Sequence, residues 1–494
     1  MYPTIIRIAA CLFAITILAA CGGGGGGGDP VTPPPPPVLR TPETIAFSAA
    51  DGVGINGATE MYVIRDDGNG LTQVSSDTAR DTANITSFAI SPDGQWVAYI
   101  ADLASAPETA LFVNSINGGT PLHVSRTRSQ FGSRVNSFDW SPDSTQLVYA
   151  GSLDQTTINN QFASEVFVVN RDGTGDIKIN GNIGTNASVE VRNPQWSPNG
   201  RYIVQEVASF DGQIGGGNAF ALNVWDETLS LPNNSRRLMT SQTSVRNVRW
   251  AADSSRLSYT ADQEMANEYH VYGIAVDGSG NVRATNNGDF NSDSKWSPTG
   301  ATLAYLDNPN APFPADLIVS GAAPGATDTV LVFLSPNNRE VVDFAWSPDG
   351  SRLAYTSDEQ TQNINELYVI NADGSGNATK VSGPQTASSD VFEFAWSPDG
   401  SSIAYLSDAE ANTFIDLYVT NVATGSVTVL SSGLPGEEVV DFAWSGDSER
   451  VAFSTGLEGR TPQANTLYVT QPDGTGRVEI TEPMTGGPLS FEYD

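Results

Sequence analysis

The chain has 494 residues and a net charge of −32, with 24 Lys and Arg against 56 Asp and Glu. A field of that sign repels phosphate backbones and anionic lipid surfaces, which argues against nucleic-acid binding and suits basic protein partners or divalent cations. Hydrophobic residues (39%) outweigh charged ones (16%), as in a globular chain, and 48 Gly with 29 Pro fit many short strands joined by tight turns.

Residues 1–20 read as a signal peptide: Arg7 gives a short positive start, and Ile8 to Ala20 is an apolar run too short for a comfortable membrane span. The run ends in Leu18-Ala19-Ala20-Cys21, which resembles a bacterial lipobox. The resemblance implies cleavage before Cys21 and acylation of its thiol and new amino group. The chain is then expected in the cell envelope, meeting the membrane through its lipid anchor only. Gly22 follows Cys21 where an Asp would resemble an inner-membrane retention signal, so an outer-membrane lipoprotein, facing the periplasm or the surface, is expected. Residues 21–43 form a tether, with seven glycines (Gly22 to Gly28) followed by a proline-rich spacer that favours extended polyproline II. Both cysteines, Cys11 and Cys21, lie in this leader, so the rest of the chain is expected to rely on its core and not on disulfides.

From residue 44 onward the sequence repeats. Asp343-Phe344-Ala345-Trp346-Ser347-Pro348-Asp349-Gly350 recurs as Glu393-Phe394-Ala395-Trp396-Ser397-Pro398-Asp399-Gly400. The Trp slot is filled by Ile90, Trp140, Trp196, Trp250, Trp296, Trp346, Trp396 and Trp444, at spacings of 46 to 56 residues. Each unit continues with a second strand such as Leu353-Ala354-Tyr355, a third such as Leu367-Tyr368-Val369-Ile370, a turn such as Asp373-Gly374-Ser375-Gly376, and a short fourth strand. Period-2 alternation and the turn residues predict four short antiparallel strands per unit, which is a propeller blade. In Ser-Pro-Asp-Gly, Pro pre-sets φ, Asp bonds back to the backbone and Gly accepts positive φ. The seven tryptophans are read as core wedged between blades, and the Asp-Gly-Ser-Gly turns as hairpins, since a calcium loop needs more acids than each supplies.

Second-strand signals near Ile45, Val97, Leu147, Ile203, Leu257, Leu303, Leu353, Ile403 and Val451 count nine units, with eight blades as the fallback. The sequence opens on a second strand, and Pro488 to Tyr493 resembles a first strand. The expectation is therefore a single all-β propeller over residues 44–494, closed by the C-terminal strand pairing with the N-terminal unit.

The Trp-Ser-Pro-Asp-Gly turn followed by Leu-Ala-Tyr and Leu-Tyr-Val resembles the WD40-like (PD40) repeats of TolB-type propellers, over residues 44–494. The resemblance implies a propeller in the envelope that serves as a protein-binding platform. Two departures limit it. True WD40 repeats carry Gly-His and Trp-Asp pairs, whereas this chain has only His123 and His270. TolB carries an extra α/β domain where this chain has its tether.

Catalytic signatures are scarce: no His-Glu-x-x-His, no phosphate loop and no Gly-x-Ser-x-Gly is present. His123 and His270 read as solvent-exposed loop residues. The position three before the Trp slot is more informative, because it holds Ser87, Ser137, Asn193, Asn247, Asp293, Asp343, Glu393, Asp441 and, in the closing strand, Ser490. First strands line a propeller's channel, so Asp293, Asp343, Glu393 and Asp441 are expected to form an acidic arc that binds a divalent cation such as calcium or a basic side chain of an envelope protein partner. Two alternatives stand beside an interaction module: a carbohydrate-active or other hydrolytic propeller using channel carboxylates, and a calcium-dependent surface adhesion or structural protein.

Overall fold

The computed structural model describes residues 42–50, 59–75, 84–102, 108–126, 134–152, 157–158, 161–162, 164–179, 189–209, 219–226, 228, 235–241, 244–266, 268–285, 294–307, 315–321, 328–334, 339–383, 389–409, 414–434, 437–457, 464–480, 484–485 and 490–493. Residues 1–20, read above as a signal peptide, Cys21 and most of residues 21–43, read as a tether, lie outside these residues, as does Asp293. The regular elements among them are all β-strands.

The strands form nine four-stranded antiparallel units among the described residues. Blade 1 joins Thr44–Ala50, Thr59–Arg65 and Thr72–Gln73 to the closing strand Ser490–Tyr493. Blades 2 to 9 begin at the first strands Ile85–Ile90, Arg134–Trp140, Val189–Trp196, Val245–Trp250, Ser294–Trp296, Val341–Trp346, Val391–Trp396 and Glu437–Trp444. Within blades 2 to 9 the strands lie side by side in chain order, because tight turns join each antiparallel strand to the next. Blades 2 and 3 are additionally linked by one parallel bridge between Thr109 and Arg134.

The Ser-Pro-Asp-Gly turns act as expected. In blade 7 the Ser347 hydroxyl donates to Asp349 Oδ1 (2.6 Å) and accepts from Arg352 N (2.9 Å), while Gly350 N closes the turn on Ser347 O (2.8 Å). Gly350 has φ +70°, a conformation a Cβ would strain. Asp373, in one of the hairpin turns, likewise accepts from Ser375 N at 2.8 Å.

The second strands correct the simple alternation read from sequence. Strand Arg352–Ser357 is buried continuously from Leu353 to Ser357. The reason is that both faces of a blade are covered. Leu353 and Tyr355 pack towards blade 6, with Ala304 and Leu317, whereas Ala354 packs towards blade 8, with Phe394 and Trp396. The core is a ring of such inter-blade clusters. One of them holds Ile45, Phe47 and Phe491 of blade 1 against Ala452, Leu467 and Val469 of blade 9.

That cluster closes the ring. The closing strand pairs with the first segment of the propeller, Ile45 opposite Tyr493 and Phe47 opposite Phe491. It also touches the first strands of blades 9 and 2, and Glu492 Oε2 accepts Ile90 N of blade 2 at 2.8 Å. Among the described residues the architecture is nine blades with the C-terminal strand paired to the N-terminal unit, and the eight-blade fallback is not needed.

Candidate functional site: the channel wall

First strands of neighbouring blades touch one another across blades 2–3, 3–4, 5–6, 9–1 and 1–2, which places them around the centre. The Trp slot holds them there. The indole N–H groups of Trp140, Trp346, Trp396 and Trp444 donate to Ala89, Lys295, Ala345 and Ala395 O of the preceding blade, at 3.2, 2.9, 3.3 and 3.2 Å. Trp196, Trp250 and Trp296 bury their indole nitrogens with no acceptor among the described residues. All seven are inter-blade structure, and burial of each ring contributes about 2–3 kcal/mol.

The strands are not regular. In blades 2, 3, 4, 5, 7, 8 and 9 the pairing of first with second strand slips by one residue, a β-bulge. In blade 7, Val341 faces Ser357 and Asp343 faces Thr356, so Val342 is the extra residue. A bulge lets two successive side chains leave the same side of a strand. Both positions are accordingly open: Val342 is 50%, Phe392 55% and Val440 44% exposed, each beside an acid, Asp343, Glu393 or Asp441. In blades 4 and 5 the corresponding residues Asn193 and Asn247 take the strained left-handed φ, +47° and +51°.

The structure thus places Asp343 and Glu393 exposed, and Asp441 half-buried, on three consecutive first strands. Asp343 already has a cation beside it. Lys295 Nζ of blade 6 lies 2.8 Å from Asp343 Oδ1 and 2.6 Å from Phe344 O, above the Phe344 ring. Among the described residues no group of three or more His, Cys, Asp or Glu could hold a metal ion.

Two further columns of the repeat flank the position three before the Trp slot and are not apparent from strict alternation. Four before it stand Arg192 and Arg246 in blades 4 and 5, then Val342, Phe392 and Val440. One before it stand Asp139, Arg249, Lys295 and Glu492. The column alignment of the repeat was the available signal. Strict alternation concealed it, because without the bulge the residue four before the slot would face a blade interface.

Two carboxylates near the wall are perturbed. Asp139 Oδ2 accepts Trp196 N of blade 4 at 2.8 Å, the same inter-blade latch that Glu492 makes to Ile90. Burial pushes Asp139 up to about 7, against the backbone N–H groups of Trp196 and Trp140. Burial likewise pushes Glu206 to about 7, opposed by the Asn193 amide, 3.4 Å from both its oxygens, and by Arg192 and Arg249.

The histidines are not exposed loop residues. His123 is half-buried in the fourth strand of blade 2, and burial lowers its pKa. His270 is buried at the start of the third strand of blade 5, with Nδ1 3.1 Å from Thr285 Oγ1 and Nε2 3.2 Å from Glu268 Oε1.

Residues 122–158 match the family described as WD domain, G-beta repeat, although that segment itself holds neither a Gly-His nor a Trp-Asp pair. No curated protein matches the chain by sequence. Among solved structures, a eukaryotic initiation factor aligns at TM-score 0.53 and 12% identity, covering 91% of this chain and 98% of that one. Dipeptidyl peptidase 4 of Porphyromonas gingivalis aligns at TM-score 0.55 and 12% identity, over 83% of this chain and 64% of the peptidase. TolB of Acinetobacter baumannii aligns at TM-score 0.34 and 13% identity, over 73% of this chain and 82% of that one. Likeness at such identities concerns the fold alone. The chain is a β-propeller, and the WD40 match falls on one of its units.

Proposed function

We propose that this propeller is a protein-interaction module of the cell envelope, anchored to the outer membrane through acylated Cys21, with the channel wall of blades 7 to 9 as its docking surface. The observation that carries the reading is the run of exposed apolar side chains Val342, Phe392 and Val440 on adjacent first strands, each next to a carboxylate. Large apolar groups gathered at one exposed place mark interaction sites, and a buried aromatic anchor ringed by charge is the usual centre of binding energy.

The test is in-cell crosslinking of the full lipidated chain, followed by mass spectrometry. A single envelope protein should dominate the capture and be lost from a Phe392→Ala/Asp441→Asn variant that melts like the parent. Undiminished capture by that variant would remove the docking surface from blades 7 to 9. Cys21→Ser should release the chain from the membrane fraction; retention there would refute the anchor.

A second reading, a hydrolytic propeller, is favoured by Glu206, whose pKa of about 7 suits a general acid. It requires turnover of a polysaccharide or ester that Glu206→Gln abolishes.

A further inference from the structure

The docking reading leaves one side of the channel wall unused, and that side has the opposite charge. Arg192 is exposed at the bulge of blade 4, Arg246 half-buried at that of blade 5, and Arg249 and Lys295 are half-buried on the first strands of blades 5 and 6. Four of the 24 basic residues therefore stand on three consecutive first strands of a chain with net charge −32. Two of them converge across blades: Arg192 of blade 4 and Arg249 of blade 5 both act electrostatically on Glu206. The Arg246 guanidinium lies 4.9 Å over the Tyr269 ring, with Nε 3.1 Å from Ser244 Oγ.

In the same columns blades 7 to 9 hold no base, only Val342, Asp343 and Ala345, then Phe392, Glu393 and Ala395, then Val440, Asp441 and Ala443. Around the channel the wall thus passes from basic to apolar-acidic, and the Lys295–Asp343 ion pair marks the seam. A concave, low-dielectric wall focuses such fields. A segment basic throughout would meet Arg192 and Arg249, and one acidic throughout would meet Asp343 and Glu393. Like charges set against each other reject a wrong partner more strongly than matched ones reward the right one.

We infer that the partner presents a charge-segregated polypeptide segment, with basic and apolar residues on one stretch seated on blades 7 to 9 and acidic residues on the adjoining stretch seated on blades 4 to 6. This rests on the docking reading above and adds the chemistry and orientation of the occupant.

The experiment is selection of a random peptide library, displayed on phage, against the full chain, against Phe392→Ala/Asp441→Asn, and against Arg192→Gln/Arg246→Gln. Peptides enriched on the parent should carry bases and apolar residues at one end and acids at the other. Synthesised, they should bind the parent about tenfold more tightly than versions with the same charges interspersed. The arginine variant should bind both forms equally and enrich peptides without the acidic stretch. Enriched peptides with no segregation, or acidic peptides that bind as tightly alone, would overturn the inference. If their binding is still lost in the Phe392→Ala/Asp441→Asn variant, the docking reading survives. Enrichment indifferent to both variants, or no enrichment at all, would overturn both.

Discussion

At the scale of single residues, acids do two opposite jobs in this chain. Asp349 is held down to about 2 by the Ser347 hydroxyl and the Ser351 backbone N–H, whereas burial pushes Asp139 up to about 7. A carboxyl raised in the folded state keeps a proton that the unfolded chain has released, so rising pH removes stability between the unfolded value of 3.8 and about 7. Asp349 acts the other way: its contribution is complete above 3.8 and is lost as pH falls towards 2. Asp139→Asn keeps an oxygen for Trp196 N but carries no charge. It should raise stability at pH 8 by on the order of 1–3 kcal/mol and flatten the pH dependence of melting between about pH 4 and 7. An unchanged slope would show that Asp139 titrates normally. The repeat assigns Asp143 to the Ser-Pro-Asp turn, but nothing in the sequence marked Asp139 as buried; that depends on blade 4 packing over it.

At the scale of the element, a turn and a bulge together shape the first strands of blades 2 to 5 and 7 to 9. The turn was legible from Ser-Pro-Asp-Gly alone, because its hydrogen bonds run within six residues, from Ser347 to Arg352. Ser347→Ala removes both the donor to Asp349 and the acceptor for Arg352 N, in a residue that is fully buried. The expected loss is about 1–2 kcal/mol, with the acid-unfolding midpoint shifted upwards as Asp349 loses its hydroxyl donor. A loss below about 0.5 kcal/mol in urea titration would assign the turn's stability to Pro and Gly instead. The bulge left no such local signature. Val342, Phe392 and Val440 share no turn residue with Asn193 and Asn247, and the slip in register follows from how the first strand must bend to meet its neighbours around the channel.

At the scale of the molecule, stability is shared among inter-blade clusters, each as strong as its two faces, and the ring is held shut by a four-residue strand. Phe491 is 4% exposed within the cluster between blades 9 and 1. Phe491→Ala should cost about 3–5 kcal/mol and strip hydrogen-exchange protection first from Thr44–Ala50, whose pairing edge it anchors. A cost under about 1 kcal/mol, with protection retained, would mean that the ring does not depend on this strand.

The repeat, its nine units, the turn chemistry, the core role of the tryptophans and the closing strand were all determined by the sequence itself. Each is encoded by residues close in the chain or by a pattern repeated often enough to count. The composition of the channel wall was only partly legible: the column of Asp343, Glu393 and Asp441 stood out, but its basic and apolar companions did not. Tertiary structure alone decided which side chains share that wall, because this depends on bulges that break alternation and on a ring that brings blades 4 to 9 around one centre. The pairing of Lys295 with Asp343, 48 residues apart, belongs to that closure and to no local rule.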